Sequence, residues 1–521
     1  MARVVIADKL PEEIYGPLLE DAGISYVQAS TNNLNDLLEN CEALIVRSAT
    51  KVNSSLIARA PNLRIVGRAG TGYDNIDLEA ATSKGIVVEN TPDGNTNSAA
   101  EIAITLMYAF ARRIPEADYS LKMGRWERNS LSGIELEGKT LGVVGLGRIG
   151  RLVATRAKSL GMNILYYDPP NFSETPFKKT SLEDLLKRSD VVTLHLPAMK
   201  ETEGLMGEKQ FSLMKPTAYL VNAARGELVD EDALYIAISS GKIAGAAIDV
   251  FKQEPYEGKL RNLGSRVILT PHLGASTAEA NTRVAEQITK QLIAYLNENK
   301  IENAVNVSTV IPELKPYGEL IERMSYFGSK LLGEPISSIE VTCYGEITKL
   351  DRNGLSNYAI IGSLSDYIEN INFVNSKGLA RESGIEISDT GSPEETAYRN
   401  MISLDMNSRT KKVQIEGIYF EKEGPRIVGV NGYKLEFSPQ GIILATEHHD
   451  QPGVLAHLTS QLADAGINIS TSELARNNLG GTAMAILQID SKASNETLAK
   501  IKNGIIYSVS QFEIRPPRNL L

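Results

Sequence analysis

A glycine-rich stretch at residues 141–150 constrains the fold of this chain more than any other segment. A run of apolar residues leads into Gly145, Gly147 and Gly150, which have the G-x-G-x-x-G spacing, and a helical pattern follows. The first glycine would permit a tight turn, the second would let backbone N–H groups approach a pyrophosphate, and the third would let the helix lie close to the strand. The stretch therefore predicts a strand, a turn and a helix that bind a dinucleotide.

An acidic residue favours NAD as that dinucleotide. Asp168 follows a second strand-like run and lies about 20 residues beyond the glycines, the spacing of a ribose-binding carboxylate. Its side chain would accept hydrogen bonds from the ribose hydroxyls of NAD and repel the 2′-phosphate of NADP. The alternative is a turn or helix-capping residue before Pro169 and Pro170. Because the whole series of strand, turn, helix, strand and acid is present, we favour NAD.

Charge and length exclude several classes of function. The 521 residues include 54 basic and 64 acidic side chains, for a net charge of −10. This balance disfavours nucleic acid or an anionic membrane as a partner. An anionic substrate would have to be held by a local basic cluster. At about 150 residues per domain, the length indicates three or four domains.

Cysteine usage and the N-terminal segment favour a cytoplasmic location. Cys41 and Cys343 are far apart in apolar surroundings, which is typical of buried thiols in a reducing compartment. The first residues run directly into a strand pattern without the features of an export signal. No apolar run approaches the roughly 18 residues that would indicate a membrane span.

Strand and helix patterns divide the chain into α/β and α+β regions. Alternation on both sides of the glycine stretch predicts two α/β lobes, Rossmann-like or flavodoxin-like, the second with six or seven parallel strands. Beyond residue 305 the signals become α+β, and from residue 441 the order is βαββαβ, which is ferredoxin-like. That last region is either an interaction module or a small-molecule sensor. The predicted segments are 1–94, 95–273, 274–304, 305–440 and 441–521.

Three polar side chains at predicted strand ends suggest oxidation of an alcohol. His272 follows an apolar strand, and its ordinary pKa of about 6.5 suits a base for an alcohol proton. Glu254 could orient the ring and stabilise the imidazolium, and Arg225 could bind a carboxylate with two parallel hydrogen bonds. Each alone would more often be structural, but their joint occurrence in one lobe favours catalysis. His195, at another strand end, is either a structural histidine or part of a cofactor pocket.

These motifs together resemble the D-isomer-specific 2-hydroxyacid dehydrogenase family. The matching segments are residues 145–150 with Asp168, and residues 222–230, 249–255 and 270–272. The resemblance implies that Arg225 binds the substrate carboxylate, that Glu254 pairs with His272, and that His272 is the acid/base, with NAD as cofactor and no metal. It also implies a substrate-binding domain, split between 1–94 and 274–304, that closes on an NAD-binding domain at 95–273.

The resemblance assigns binding residues as well. Those that would line the cofactor site are Thr71, Gly145, Gly147, Arg148, Ile149, Gly150, Asp168, Ala223 and Asp249. Those that would bind substrate are Arg47, Gly70 and Arg225, with Arg47 on a phosphate group. Arg128 could contribute from a neighbouring subunit. The alternative for Arg47 and Arg128 is a solvated surface arginine.

Within the family, residues 45–51 and 67–77 resemble the branch that oxidises D-3-phosphoglycerate to 3-phosphohydroxypyruvate, the first step of L-serine biosynthesis. Residues 305–440 would then be an intervening domain and residues 441–521 an ACT regulatory domain. An amino-acid effector such as L-serine would bind near His448, Asp450, Gly453 and Asn468. The resemblance further implies a homo-oligomer, a dimer or a tetramer.

Two other functions remain open from the sequence. One is a reductase for glyoxylate, hydroxypyruvate or 2-oxoglutarate, which Arg47 and the long C-terminal region disfavour. The other is a non-catalytic, NAD(H)-sensing protein of corepressor type. The full set of Arg225, Glu254 and His272 argues against the second, because a sensor has no need of proton-transfer chemistry.

Overall fold

Four β-sheets organise the computed structural model of this protein, which describes residues 3–30, 33–169, 175–307 and 310–516. The chain forms two compact units, residues 1–77 with 89–298 and residues 78–88 with 299–521. In the described ranges, no helix has the length and apolar character needed to cross a membrane.

The first sheet has five strands in the order β2-β1-β3-β4-β5. Its strands are β1 (Arg3–Ile6), β2 (Ser25–Gln28), β3 (Ala43–Val46), β4 (Ile65–Arg68) and β5 (Val87–Asn90). The helices among them are α1 (Glu12–Asp21), α2 (Leu34–Leu37), α3 (Ser54–Ala58) and α4 (Leu78–Ser83). The pairs β1–β2, β1–β3 and β3–β4 are parallel. Since β3 is buried along its whole length, it appears in the sequence as a continuous apolar run.

The second sheet has seven strands in the order β12-β11-β10-β9-β6-β7-β8, all paired in parallel. The strands are β6 (Thr140–Val144), β7 (Asn163–Tyr167), β8 (Lys178–Lys179), β9 (Val191–Leu194), β10 (Tyr219–Asn222), β11 (Gly245–Ile248) and β12 (Val267–Leu269). The accompanying helices are α5 (Thr96–Ala111), α6 (Ile114–Lys122), α7 (Arg148–Ser159), α8 (Leu182–Arg188), α9 (Glu208–Leu213) and α10 (Glu231–Ser239). The predicted fold class of two parallel α/β lobes is confirmed.

A long helix after the second sheet returns to the first one. This helix, α11 (Ala278–Glu298), lies against β4 and α1. Gly67 on β4 makes the approach possible, because a Cβ at that position would lie 2.5 Å from Cδ1 of Leu292. The first sheet is therefore covered by a helix that is distant in sequence.

The second unit contains two further sheets and an α+β core. The six-stranded sheet, of order β14-β13-β15-β16-β17-β18, pairs β13 with β14 in parallel and the remaining neighbours antiparallel. Its strands are β13 (Ser338–Gly345), β14 (Glu386–Ser392), β15 (Asn400–Asn407), β16 (Lys412–Phe420), β17 (Gly424–Val430) and β18 (Tyr433–Phe437). The helices with it are α12 (Lys315–Leu332), α13 (Leu355–Leu364) and α14 (Ser376–Glu382).

The last sheet is antiparallel, of order β20-β21-β19-β22, and has the predicted βαββαβ succession. Its elements are β19 (Gly441–His449), α15 (Val454–Asp464), β20 (Ile469–Arg476), β21 (Thr482–Ile489), α16 (Asn495–Ile501) and β22 (Ile506–Ile514). The buried ring of Phe327 on α12 lies 5.6 Å from the Phe437 ring and 5.4 Å from the Phe512 ring. One core therefore joins both sheets of this unit.

Short 3₁₀ turns connect several of these elements. They are Leu38–Asn40, Gly226–Leu228, Lys259–Arg266, Pro312–Leu314 and Glu346–Lys349.

The glycine turn between β6 and α7 has three distinct geometries. Gly145 has a φ of 95°, and a Cβ there would lie 2.8 Å from the carbonyl carbon of His195. A Cβ at Gly150 would lie 2.0 Å from the carbonyl oxygen of Gly145. A Cβ at Gly147 would have no atom of the described chain within 4 Å. The first and third glycines are thus required by the fold, whereas the second leaves open space in front of the helix N-terminus.

This difference predicts that two alanine substitutions affect different properties, one the stability of the fold and the other the affinity for NADH. Gly150→Ala should lower the free energy of unfolding by about 1–3 kcal/mol, because backbone must move to make room. Gly147→Ala should leave the thermal unfolding midpoint unchanged and weaken NADH binding, measured by fluorescence titration, because the methyl group occupies space available to the pyrophosphate. Equal loss of stability in both variants, or unaltered NADH affinity in Gly147→Ala, would contradict this assignment.

Candidate active site

The loop after β12 brings a histidine and a glutamate together. Nδ1 of His272 lies 2.9 Å from Oε2 and 3.1 Å from Oε1 of Glu254. A carboxylate only accepts hydrogen bonds, so Nδ1 carries the hydrogen and Nε2 of the neutral ring is left as the acceptor. The histidine side chain is 42% exposed, which leaves Nε2 accessible for proton exchange. This arrangement matches a general base oriented by an acid.

A buried carboxylate holds the loop that carries His272. Asp249 is fully buried, and its oxygens accept hydrogen bonds from Oγ1 of Thr270 at 2.6 Å, from N–H of Leu273 at 2.8 Å and from N–H of Gly274 at 2.9 Å. Burial raises the pKa of Asp249, while these hydrogen bonds oppose the rise. The described contacts of Asp249 thus position the catalytic loop, and a contact with the cofactor stays a prediction.

Arg225 follows β10 and reaches the other α/β lobe. Its Nε donates to Oδ2 of Asp74 at 2.8 Å, and its Nη1 donates to the carbonyl of Ala224 at 2.7 Å. A Cβ at Gly72 would lie 1.7 Å from Nη2 of Arg225, so only glycine leaves room for this guanidinium. Of the five N–H groups of Arg225, three are left for a ligand.

Sequence reasoning missed Arg68, which lies beside Arg47 and Arg225. Burial, together with the charges of Arg225 and Arg47, lowers the pKa of Arg68 to about 10. Its Nε is buried without a hydrogen-bond partner in the described chain. The signal was present, because Arg68 ends β4 and pairs in register with Val46, the residue before Arg47 on the neighbouring parallel strand.

Gly70 lies against the guanidinium of Arg68. It has a φ of 147°, and a Cβ there would lie 2.1 Å from Nη1 of Arg68. The glycine therefore makes space for the guanidinium of Arg68, which donates to the carbonyl of Ala69 at 2.7 Å. Direct contact between Gly70 and substrate stays a prediction.

This arginine cluster, Arg47, Arg68 and Arg225, has more positive than negative charge. Within the described ranges, Asp74 is the acid that forms an ion pair with the cluster, through Arg225. Asp8 forms no ion pair with the cluster in the described chain, but its charge opposes the fall in the pKa of Arg68, and its side chain accepts from N–H of Arg47 at 2.5 Å and also from Thr50. A ligand that carries two anionic groups would balance the remaining charge.

The predicted cofactor residues surround the glycine turn. Asp168 is 5% exposed, and its Oδ2 accepts from N–H of Leu146 at 2.5 Å, so the acid faces the turn itself. Arg148 begins α7 and forms an exposed ion pair with Asp93 at 3.0 Å. The open space at Gly147 and the acid at the end of β7 fit a dinucleotide with a free ribose 2′-hydroxyl.

The other residues predicted to line this site lie around the same edge of the sheet. Ile149 and Ala223 are partly buried against the core under the seven-stranded sheet. Oγ1 of Thr71 contacts Oδ1 of Asn95 at the start of α5, and the Thr71 carbonyl accepts from Nδ2 of Asn90 at 2.7 Å. Thr71 therefore joins the first lobe to the second. Their contacts with the cofactor stay predictions.

His195 has the contacts of a structural histidine. Its Nε2 lies 2.9 Å from Oγ1 of Thr193, and burial lowers the pKa of His195 to about 4. The ring is therefore neutral at physiological pH. Its backbone carbonyl packs against Gly145, so this segment supports the glycine turn.

The predicted effector residues lie at the end of β19 and in the connections before α15 and β20, and two of them have side-chain partners. Asp450 forms an ion pair with Arg476 at 3.1 Å and accepts from N–H of Gly480 at 3.0 Å, and these contacts lower its pKa. Asn468 donates to Asp490 at 2.9 Å.

The two other predicted effector residues, His448 and Gly453, lie on either side of Asp450 in the sequence. His448 is buried, with no partner for Nδ1 in the described chain, and burial lowers its pKa. Gly453 has a φ of 91° and precedes α15. Neither residue makes a described contact that identifies a ligand.

Comparisons with known proteins identify the family of this chain. A family model described as the NAD binding domain of D-isomer specific 2-hydroxyacid dehydrogenases matches residues 104–274, and one described as the D-3-phosphoglycerate dehydrogenase intervening domain matches residues 313–431. D-3-phosphoglycerate dehydrogenases of Methanocaldococcus jannaschii and Bacillus subtilis are 39% and 36% identical, over 96% of this chain and 98% of each relative.

A solved structure extends the similarity to the fold. The crystal structure of D-lactate dehydrogenase from Aquifex aeolicus, complexed with NAD and lactic acid, is 30% identical with a TM-score of 0.52, over 56% of this chain and 95% of that one. The family resemblance and the NAD-binding domain expected from the sequence are therefore confirmed. This chain belongs to the D-3-phosphoglycerate dehydrogenase family, a branch of the D-isomer specific 2-hydroxyacid dehydrogenases.

Proposed function

We propose that this protein oxidises D-3-phosphoglycerate to 3-phosphohydroxypyruvate with NAD, the first step of L-serine biosynthesis. The observation that carries the proposal is the arginine cluster at the same sheet edges as the His272–Glu254 pair. D-3-phosphoglycerate has a carboxylate at one end and a phosphate at the other, and both are anionic. The cluster offers a guanidinium to each end, whereas a substrate without phosphate would leave positive charge unbalanced.

The chain's residues divide the chemistry between binding and proton transfer. Arg225 pairs with the substrate carboxylate and polarises the group at C2. His272 accepts the C2 hydroxyl proton at Nε2, and Glu254 stabilises the resulting imidazolium through Nδ1. When bound, NAD supplies the acceptor for the hydride from C2. In the reverse direction, the His272 imidazolium returns the proton to the carbonyl oxygen.

Removal of the base tests this mechanism. His272→Ala should lower kcat by about 10²–10⁴-fold, because general acid–base catalysis contributes that much. The measurement is the steady-state rate of NADH oxidation with 3-phosphohydroxypyruvate, beside His457→Ala, a partly exposed histidine on α15, as control. A His272→Ala rate near that of the control would overturn the mechanism. Failure of the unmodified protein to turn over 3-phosphohydroxypyruvate would overturn the proposed substrate.

Removal of the phosphate-binding charge tests the substrate assignment. Arg47→Ala should raise the KM for 3-phosphohydroxypyruvate by roughly ten- to a hundredfold, the value of a hydrogen bond between charged groups. The KM for hydroxypyruvate, which has no phosphate, should change little. Arg59→Ala, at an exposed position after α3, is the matched control. Equal increases for both substrates would refute a phosphate-binding role.

Assembly and regulation belong to the same proposal. We propose a symmetric oligomer formed through the segment from α6 onward, where Tyr119, Leu121, Met123 and Trp126 are exposed and Trp126 is 81% exposed. Arg128 in this exposed segment would then reach a neighbouring active site. The βαββαβ modules would pair as ACT domains and bind L-serine near His448, Asp450, Gly453 and Asn468.

Sedimentation velocity and thermal unfolding, each with and without L-serine, test assembly and regulation together. We expect a dimer or tetramer, and saturating L-serine should raise the melting temperature of the protein but not of Asp450→Asn. A monomer would contradict the assembly. An unchanged melting temperature together with an unchanged rate would remove L-serine as the effector.

A further inference from the structure

A short turn in the first lobe contacts both of the loops that carry substrate-binding arginines. This 72–75 turn, residues 72–75, lies between β4 and α4 in the sequence. Its last two residues, Asp74 and Asn75, are neighbours in the chain, yet their side chains hold different arginine loops. One loop follows β3 and contains Arg47, and the other follows β10 and contains Arg225.

Asn75 holds the Arg47 loop. Its Nδ2 donates to the carbonyl of Arg47 at 2.7 Å and to the carbonyl of Thr50 at 2.6 Å, so both amide hydrogens are used. The backbone adds to this attachment, since N–H of Val52 donates to the carbonyl of Asn75 at 2.9 Å. The main chain at Arg47 is therefore anchored to the turn, while its guanidinium has no ion-pair partner in the described chain.

Asp74 holds the Arg225 guanidinium. The bond from Nε to Oδ2 of Asp74, at 2.8 Å, directs the opposite side of the planar group away from the turn. Gly72 leaves the space that Nη2 occupies, because a Cβ there would overlap it. Asp74 therefore sets the direction of Arg225, and Gly72 lets its guanidinium lie close to the turn.

We propose that the 72–75 turn is a spacer that sets the separation between the guanidinium groups of Arg47 and Arg225, and with it the length of substrate accepted. Asp74 and Asn75 are then positioning residues that select a three-carbon acid with an anion at each end. This inference rests on the proposed function, because it assigns the phosphate to Arg47 and the carboxylate to Arg225.

The two side chains should fail in different ways. Loss of the Asn75 amide frees the Arg47 loop, which only a phosphorylated substrate uses. Loss of the Asp74 carboxylate frees Arg225, which every 2-oxo acid uses through its carboxylate. A residue with a merely structural part in folding would not separate the two classes of substrate.

The experiment measures KM and kcat for 3-phosphohydroxypyruvate and hydroxypyruvate in the full-length protein. The variants are Asn75→Ala, Asn75→Asp, Asp74→Ala and Asp74→Asn. Asn75→Asp keeps the side-chain size but loses the donor, and Asp74→Asn keeps an acceptor for Nε. Two controls in the same lobe are Asn62→Ala, which loses an amide bond to the carbonyl of Glu39, and Glu42→Gln, which weakens an ion pair with Arg64. Thermal unfolding and NADH titration report whether each variant is folded.

Both Asn75 variants should raise the KM for 3-phosphohydroxypyruvate by roughly tenfold, which is the effect of two lost hydrogen bonds. The KM for hydroxypyruvate should stay within about twofold of its value in the unmodified protein. Asp74→Ala should raise both KM values by a similar factor, with partial rescue in Asp74→Asn. Parallel changes for both substrates in the Asn75 variants, or no change in a folded variant, would overturn the spacer.

Turnover by the unmodified protein separates this test from that of the proposed function. If the unmodified protein does not use 3-phosphohydroxypyruvate, the proposed function fails and the spacer fails with it. If the unmodified protein does use it and the variants show no selective loss, the spacer alone fails.

Discussion

Repulsion among three guanidinium groups, of which one has an ion-paired carboxylate, is the constraint on which the candidate active site depends. Arg47, Arg68 and Arg225 are brought together at the carboxyl ends of parallel strands, and Asp74 is the acid that pairs with them in the described ranges. Burial makes the arrangement costly for Arg68, whose pKa falls to about 10. Under the proposed function, a substrate with two anionic groups would relieve this repulsion, so the charge that disfavours the free state of the site would also select the ligand.

Different parts of the chain hold His272 and the loops that carry the arginines. His272 is held by Glu254 through its ring and by Asp249 through its loop, so its position depends on the second lobe. The arginine loops depend on the 72–75 turn of the first lobe. Arg225 extends from the second lobe to Asp74 of the first, so in the proposed function this side chain would couple substrate binding to the lobe that carries His272. Movement of the lobes would then assemble the site as substrate binds.

The features readable from the sequence were those carried by local patterns. The glycine spacing gave the turn before α7, and the strand ends pointed to His272, Glu254 and Arg225, because carboxyl ends of parallel strands share one edge. Arg68 had the same signal but no assigned role. Asp74 and Asn75 had no such signal in the sequence. The role of Asp74 depends on a contact with Arg225, 151 positions away, and that of Asn75 on a contact with Arg47. The support that Asp249 gives to the His272 loop, and the space that Gly70 leaves for Arg68, likewise depend on contacts that the sequence does not show.

The pH dependence of substrate preference tests the central claim most directly. A phosphate monoester changes from two negative charges to one near pH 6, whereas hydroxypyruvate keeps a single charge there. We therefore predict that the ratio of the hydroxypyruvate KM to the 3-phosphohydroxypyruvate KM falls severalfold between pH 7.5 and about pH 5.5. The effect of any group that acts equally on both substrates cancels in the ratio. A ratio that stays constant over this range would show that the arginine cluster does not select the doubly charged phosphate, and would contradict the account.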